Sequence, residues 1–384
     1  MSEVTKRQTA IELFFQGKKS VTEISVQLGR SRQWVYKWIK RYEKGSANWF
    51  DENSRRPKVS LSKTPEATEH SIIRARKSLE NNPFSQTGAI SIQYALRDLA
   101  EPVPSIWTIN RVIKRNGLTR KPSKYVSKGY EYPKHFIDTQ QMDLIGPCYL
   151  GTGKRFYGVS IISELSHAAK TYPKSNKSSV CVAQSLVDYW KTFGLADALQ
   201  MDNELSFRGS NRHPRSLGIV LRLALSLHVV PVFIPIKEPW RNGIVERYNQ
   251  TYERHVLKSV YCQNMEELCV ASDEFATFHY ANHRYSSQNN RTPAQMEQML
   301  GKRATLNPEY VLPDRIPLEE GVILFIRFIR SNQKLNILGL SIKVHKDLIY
   351  SYITAELIIH RHTLVIRRDQ NIYHVIHFPM PVDW

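Results

Sequence analysis

Long hydrophobic runs are missing from this 384-residue chain. None reaches the roughly 18 apolar residues of a membrane-crossing helix. Cysteine is scarce, with only Cys148, Cys181, Cys262 and Cys269. They form no CxxC pair and no Cys/His cluster at zinc spacing, which argues against a zinc module and a disulfide framework. The four read as reduced thiols of a cytoplasmic protein. The opening MSEVTKRQTA is polar and resembles no secretory leader. Acidic residues are the other shortage: 35 Asp+Glu stand against 54 Lys+Arg, a net charge of +19. A polyanion is the natural partner of such a chain, and without membrane features nucleic acid leads.

What is present is globular. Hydrophobic residues make up 41% and charged residues 23%, and the length suggests two to four domains. Residues 5–43 show three helical patterns, the last carrying Trp34, Val35, Trp38, Ile39 and Tyr42 at helical spacing with Ser31 as N-cap. "VTEISVQLGRSRQWVYKWIKRY" therefore reads as a helix-turn-helix. Arg30, Arg32, Lys37 and Arg41 are its candidate DNA contacts. A second unit follows in "PEATEHSIIRARKSLENNP", "GAISIQYALRDLA" and "PSIWTINRVIKRNGL". Ser105 caps its last helix, Gly117 ends it, and Arg111, Lys114 and Arg115 are offered to DNA. A polar linker, "DENSRRPKVSLSKTP", separates the units. Eight Lys/Arg between 111 and 134 read as a phosphate-tracking run.

From 136 to 260 the pattern becomes mixed α/β. Three consecutive strands precede alternating strands and helices, a ribonuclease-H-like layout ending in a long helix over "NGIVERYNQTYERHVLKSV". A helical stretch follows, with Thr292, Pro293 and Gln295 set as a capped helix start. Five short strands after it suggest a small β-barrel. The segments are 1–60 and 61–125 for the helix-turn-helix units and 126–265 for the ribonuclease-H-like core. A helical connector takes 266–315, and the barrel 316–384. The fold class is multidomain α/β.

Asp143 and Asp202 end predicted strands in that core, each after the same Gln-Met. An aspartate in an apolar strand is costly unless paired, hydrogen-bonded or bound to a cation. Neighbouring strands would bring the two anions together, and a divalent metal relieves their repulsion. Hard oxygen ligands suit Mg²⁺, with Mn²⁺ as its substitute. A third carboxylate from a helix crossing the sheet would complete a site for two ions about 3.5–4 Å apart, suited to in-line displacement at a phosphodiester.

"QMDLIGP", "QMDNELSF" and "PWRNGIVERYNQTYE" resemble the three acidic motifs of DDE transposases and retroviral-type integrases. The nearest likeness is to bacterial insertion-sequence transposases with an integrase-like core. The tandem helix-turn-helix units and the terminal barrel extend it over nearly the whole chain. Spacing in that family favours Glu238, since 35 residues separate it from Asp202, against 43 for Glu246. Glu246, however, sits in Asn-Gly-x-x-Glu-Arg inside a helix start, where a ligand has rigid support. Glu246 is therefore the expected third ligand, and Glu253 a residue near it or near DNA. Asn203-Glu204 replaces the usual Asn-Gly, and "SELSHAAK" brings Glu164 and His167 where the family often carries Asp-x-Ser-Arg.

The resemblance implies a DNA transposase. Water frees a 3′-hydroxyl at each element end, and that hydroxyl then attacks target DNA. Asp143, Asp202 and Glu246 would hold two Mg²⁺, while Arg241, Arg247 and Lys237 lie beside the phosphates. The implied partners are double-stranded DNA, at element ends and target, and a second copy of the chain. Residence would be cytoplasmic, on the nucleoid when DNA is bound. Nothing in the sequence points to or against a helper such as an ATPase. Two other readings are a ribonuclease-H-like nuclease without joining and a domesticated DNA-binding protein that does not cut. The complete carboxylate set opposes the second, and the double reader with its barrel opposes the first.

Overall fold

The computed structural model describes residues 2–52, 64–119, 132–209, 215–301, 303–318 and 320–380. Most of the expected linker, and half of the basic run at 111–134, lies outside the described residues. Where the sequence suggested five segments, the chain divides into two compact units, 1–64 and 65–384.

The first unit is built from α1 (Glu3–Phe15), α2 (Val21–Leu28) and α3 (Arg32–Tyr42). Each begins at a serine whose hydroxyl accepts a backbone N–H, and Ser20 with Glu23 forms a full capping box. Gly29, at a left-handed φ of 60°, makes the tight turn between α2 and α3. Ala10, Ile11, Ile24, Val35 and Ile39 close the core, and Trp38 is fully buried under Arg7, 4.3 Å from its ring centroid.

The second unit opens with α4 (Glu66–Glu80), α5 (Ala89–Asp98) and α6 (Ile106–Arg115), packed around Ile72, Ile92, Leu96, Ile109 and Val112. Next come β1 (Thr139–Tyr149), β2 (Arg155–Ser163), β3 (Ala169–Lys174), α7 (Ser179–Phe193), β4 (Ala198–Met201), α8 (Leu205–Arg208), α9 (Ile219–Ser226) and β5 (Val230–Phe233). The three-strand meander β1–β3 is antiparallel, and β4 and β5 add parallel to β1, giving the order β3-β2-β1-β4-β5. That is the ribonuclease-H-like sheet. Beyond it lie α10 (Gly243–Tyr252), α11 (Met265–Asn282) and α12 (Pro293–Leu300), the last with the expected capping box. The helix expected to continue to 260 instead passes into a π turn at Glu253–Leu257.

The C-terminal strands are β6 (Val322–Phe328), β7 (Lys334–Ile337), β8 (Leu340–Lys343), β9 (Tyr352–Ile358), β10 (Thr363–Arg368) and β11 (Asn371–His377). They do not stand as a sheet of their own. β6 pairs in parallel with β5, Phe325 stacks on Phe233 at 5.1 Å, and β9, β10 and β11 extend one nine-stranded sheet. Only the β7–β8 hairpin pairs separately. The alternation of apolar residues is the same whether strands close on each other or on a neighbour, so the sequence alone could not distinguish them.

The α4–α6 unit packs directly on the core. Phe84 lies against Phe275 and Phe278, and its carbonyl accepts from His283 Nε2 at 2.8 Å. Gln86 exchanges two hydrogen bonds with the backbone of Arg284, whose guanidinium stacks on Tyr94 at 3.5 Å. His255, in the π turn, contacts the Pro83 carbonyl. All four cysteines are free. No helix among the described residues is long and apolar enough to cross a membrane.

Candidate active site

The register of the central strands sets two of the candidate residues level. Gln141 on β1 is paired with Gln200 on β4 in a parallel ladder. Asp143 and Asp202 lie two residues further along each chain, hence on the same face of neighbouring strands roughly 4.8 Å apart. Both glutamines reach across to the start of α10. Gln141 Oε1 accepts from the amides of Ile244 (3.1 Å) and Val245 (3.0 Å), occupying donors that a helix start leaves free. Gln200 Nε2 donates to the Arg241 carbonyl (3.0 Å) and to Asn242 Oδ1 (3.3 Å). Asn242, 2% exposed, donates back to the Met142 carbonyl at 2.9 Å. The repeated Gln-Met-Asp and the Asn of Asn-Gly-x-x-Glu thus fasten the helix carrying Glu246 to both aspartate strands. The repeat was visible in sequence, but not that its glutamines were the fasteners.

Asp143 Oδ2 accepts from Asn249 Nδ2 at 2.8 Å, one turn beyond Glu246 on α10. Asn249 Oδ1 is buried without a hydrogen-bond partner. Burial first, then the charges of Asp202 and Glu246, push the Asp143 carboxyl up to about 7, against hydrogen bonds from the Leu144 amide and Asn249. Asp202 is also raised, chiefly by burial, and its Oδ1 accepts from the Glu204 amide at 2.9 Å. Glu246 is raised by burial. Among the described residues no three His, Cys, Asp or Glu side chains are grouped so as to hold one metal ion. The donor set nevertheless fits a hard divalent cation. The charges of Asp202 and Glu246 act on Asp143, the most buried of the three, which is driven toward its neutral form, and an orphaned amide oxygen lies beside it.

Those raised values have a thermodynamic consequence. The folded-state pKa of Asp143 stands above its ordinary 3.8, so ionising it destabilises the fold. The cost is absent below pH 4, grows as pH rises, and is complete above about 7. Without divalent metal, Asp143→Asn is expected to raise the unfolding temperature at pH 8, with the gain shrinking toward pH 4. Scanning calorimetry at the two pH values checks this.

The remaining candidates fare unevenly. Glu238, favoured by spacing, accepts from Tyr352 Oη at 2.6 Å and pairs with Arg241 Nε at 3.3 Å. Arg241 lies between the Tyr132 and Tyr352 rings, 4.1 and 4.8 Å from their centroids, and its side chain is 17% exposed. Expected beside DNA, it instead ties the core to β9, because two aromatic faces and a carboxylate hold its guanidinium inward. Arg247 and Lys237 are exposed. Glu253 pairs with Lys258 at 3.2 Å, and Glu204 with Lys177 at 2.9 Å. Glu164 accepts from Gln141 Nε2 at 2.6 Å.

In the turn before α3, Arg30 pairs with Glu3; on α3, Arg32 is exposed, whereas Lys37 pairs with Glu52 at 3.2 Å and Arg41 donates to the Asp51 carbonyl at 2.6 Å. On α6, Arg111 and Lys114 are exposed and Arg115 is paired with Glu69. Trp107, in the first turn of α6, is 82% exposed and was not singled out in sequence. A tryptophan in the first turn of α6, off the apolar face formed by Ile109, Val112 and Ile113, is the sequence signal that could have found it.

The model of a homeodomain-like domain family matches residues 1–49, the three-helix first unit. The match covers that helical unit alone. The architecture is a homeodomain-like helical unit followed by a ribonuclease-H-like mixed sheet.

Solved structures similar to the chain include the HTLV-2 integrase catalytic core domain in complex with magnesium. It is 16% identical, with a TM-score of 0.33 over 41% of this chain and 94% of that one. The simian T-cell lymphotropic virus intasome in complex with the PP2A regulatory subunit B56 gamma is 13% identical, with a TM-score of 0.37 over 75% and 93%. The BIV integrase catalytic core domain is 14% identical, with a TM-score of 0.32 over 42% and 94%. Likenesses this distant carry no argument about activity. No curated protein matches the chain.

Proposed function

We propose that the protein is a DNA transposase, cleaving element ends to free 3′-hydroxyls and joining them to target DNA. The observation that carries the reading is the fastening of Glu246's helix to both strands that bear Asp143 and Asp202. Three carboxylates so held, with one driven up to about 7, suit Mg²⁺ or Mn²⁺. Asp143, Asp202 and Glu246 would hold the metal, two ions in the full site. When bound, the metal would activate the attacking oxygen and stabilise the leaving one. Asn249 orients the Asp143 carboxylate, and Gln141, Gln200 and Asn242 hold the helix start in place.

Recognition of the ends falls to the two helical units, through the exposed Arg32, Arg111 and Lys114. The excess of 19 positive charges supplies the sequence-independent part of DNA binding. Cutting two ends calls for at least two copies of the chain on DNA.

A strand-transfer assay tests the proposal. The full chain is mixed with Mg²⁺, oligonucleotides copying the inverted repeats that flank its gene, and a supercoiled target. Nicked ends bearing 3′-hydroxyls, and joined products, are expected. Cleavage without joining would leave a nuclease; binding without cleavage in Mg²⁺ or Mn²⁺ would leave a DNA-binding protein. Either outcome overturns the transposase reading.

A further inference from the structure

Arg327 lies on β6, far along the chain from the carboxylates, and is 7% exposed. Among the described residues its hydrogen-bond partners are oxygens of uncharged groups. Nη1 donates to the carbonyls of Ile234 and Ile326, both at 2.9 Å, and Nη2 donates to Asn203 Oδ1 at 2.6 Å. A cation this deep is costly even when hydrogen-bonded, and an uncharged side chain would fill the space at lower cost. The Nη2 branch marks where that cost is offset. Asn203 directly follows Asp202, and its Nδ2 donates to the Ile234 carbonyl at 2.8 Å. Asn203 is therefore gripped twice, by the end of β5 and by Arg327. On its other side, the Asp202 carboxylate folds onto the Glu204 amide. The short segment from which Asp202 projects is fixed from both directions.

We propose that Arg327 is a positioning residue for Asp202, acting through Asn203, so that the C-terminal strands complete the catalytic site. The inference rests on the metal-binding role of Asp202 set out under the proposed function. A planar guanidinium can serve β5, β6 and Asn203 together because its N–H groups form a fixed fork; no other side chain offers this. Continuity of β5 with β6 puts the fork within reach of the β4 loop.

Mn²⁺ binding to the full chain without DNA, followed by titration calorimetry well below each variant's unfolding temperature, tests this directly. Asp202→Ala is expected to lose binding. Asn203→Ala and Arg327→Gln are expected to bind about tenfold more weakly or worse, as when a ligand's supporting contact is removed. The double variant should be no weaker than the weaker single, because both break one connection. In strand transfer, the same variants should need more Mg²⁺ while binding end DNA as before. Wild-type Mn²⁺ affinity in Asn203→Ala, alongside a defective Asp202→Ala, overturns the positioning role and leaves the site standing. Wild-type affinity in Asp202→Ala overturns the site itself. Additive losses in the double variant also overturn the role of Arg327. If Arg327→Gln fails to fold, Arg327→Lys, which keeps the charge but not the fork, takes its place, and wild-type Mn²⁺ affinity in it overturns the role of the fork.

Discussion

Glu246→Gln is expected to lower end cleavage and strand transfer by on the order of 10³-fold or more, with binding to end DNA retained. Glu238→Gln should remain active and lose stability instead. The contrast follows from what each carboxylate touches. Glu246 stands on α10, its charge acts on Asp143, and the helix start is held by Gln141, Gln200 and Asn242. Glu238 is engaged by Tyr352 and Arg241, and that cluster joins the core to β9. Removing its charge leaves a mostly buried guanidinium without its anion, a loss of about 1–3 kcal/mol. Cleavage and joining assays, paired with thermal unfolding of each variant, read the two effects separately. An inactive, well-folded Glu238→Gln beside an active Glu246→Gln would reverse the assignment.

The choice between these glutamates shows what the sequence made legible. Count favoured Glu238, whereas motif and helix support favoured Glu246; in the fold Glu238 is held by Tyr352 and Arg241. Local features were readable because local chemistry dictates them. Ser31, Ser105 and Thr292 each cap a helix as their patterns imply, and the order of strands and helices in the core follows from periodicity. Pairing between distant segments was not readable. Nothing near Arg327 in sequence shows that it meets Asn203, 124 positions away. Nor could periodicity show that β6 would pair with β5, or that Arg241 would turn inward between two tyrosines. A basic residue in a basic chain reads as a DNA contact until the aromatic faces that hold it are located.

Between pH 6.5 and 4 acid should draw down the stability contributed by three buried histidines, against the opposing gain from the raised Asp143 carboxyl, and His283→Gln should make that loss shallower by about one proton. Three histidines are buried around α11. His283 is held down at about 4, chiefly by burial and further by the nearby His255, against the hydrogen bond to Phe84. His167 is held at about 4 by burial and by Arg247. His279 is pushed well down by burial and by the other histidines. All three stay neutral in the fold, while the unfolded chain takes up a proton on each near 6.5. The unfolded state therefore binds more protons in this window, and stability falls as pH falls. A histidine held at about 4 instead of 6.5 represents about 3 kcal/mol once both values are passed. His283 and His167 together approach a large part of the 5–15 kcal/mol that typically holds a domain folded, and His279 adds in the same direction. Glutamine at 283 still offers a donor to the Phe84 carbonyl and removes one titrating ring. Denaturant unfolding from pH 8 to pH 4 gives the slope; an unchanged slope in His283→Gln would mean this ring is not the neutral one. Since His283 and His255 hold the carbonyls of Phe84 and Pro83, the segment from Asn82 to Thr87 should lose hydrogen-exchange protection before β1. The α4–α6 unit would then come away from the core before the sheet unfolds.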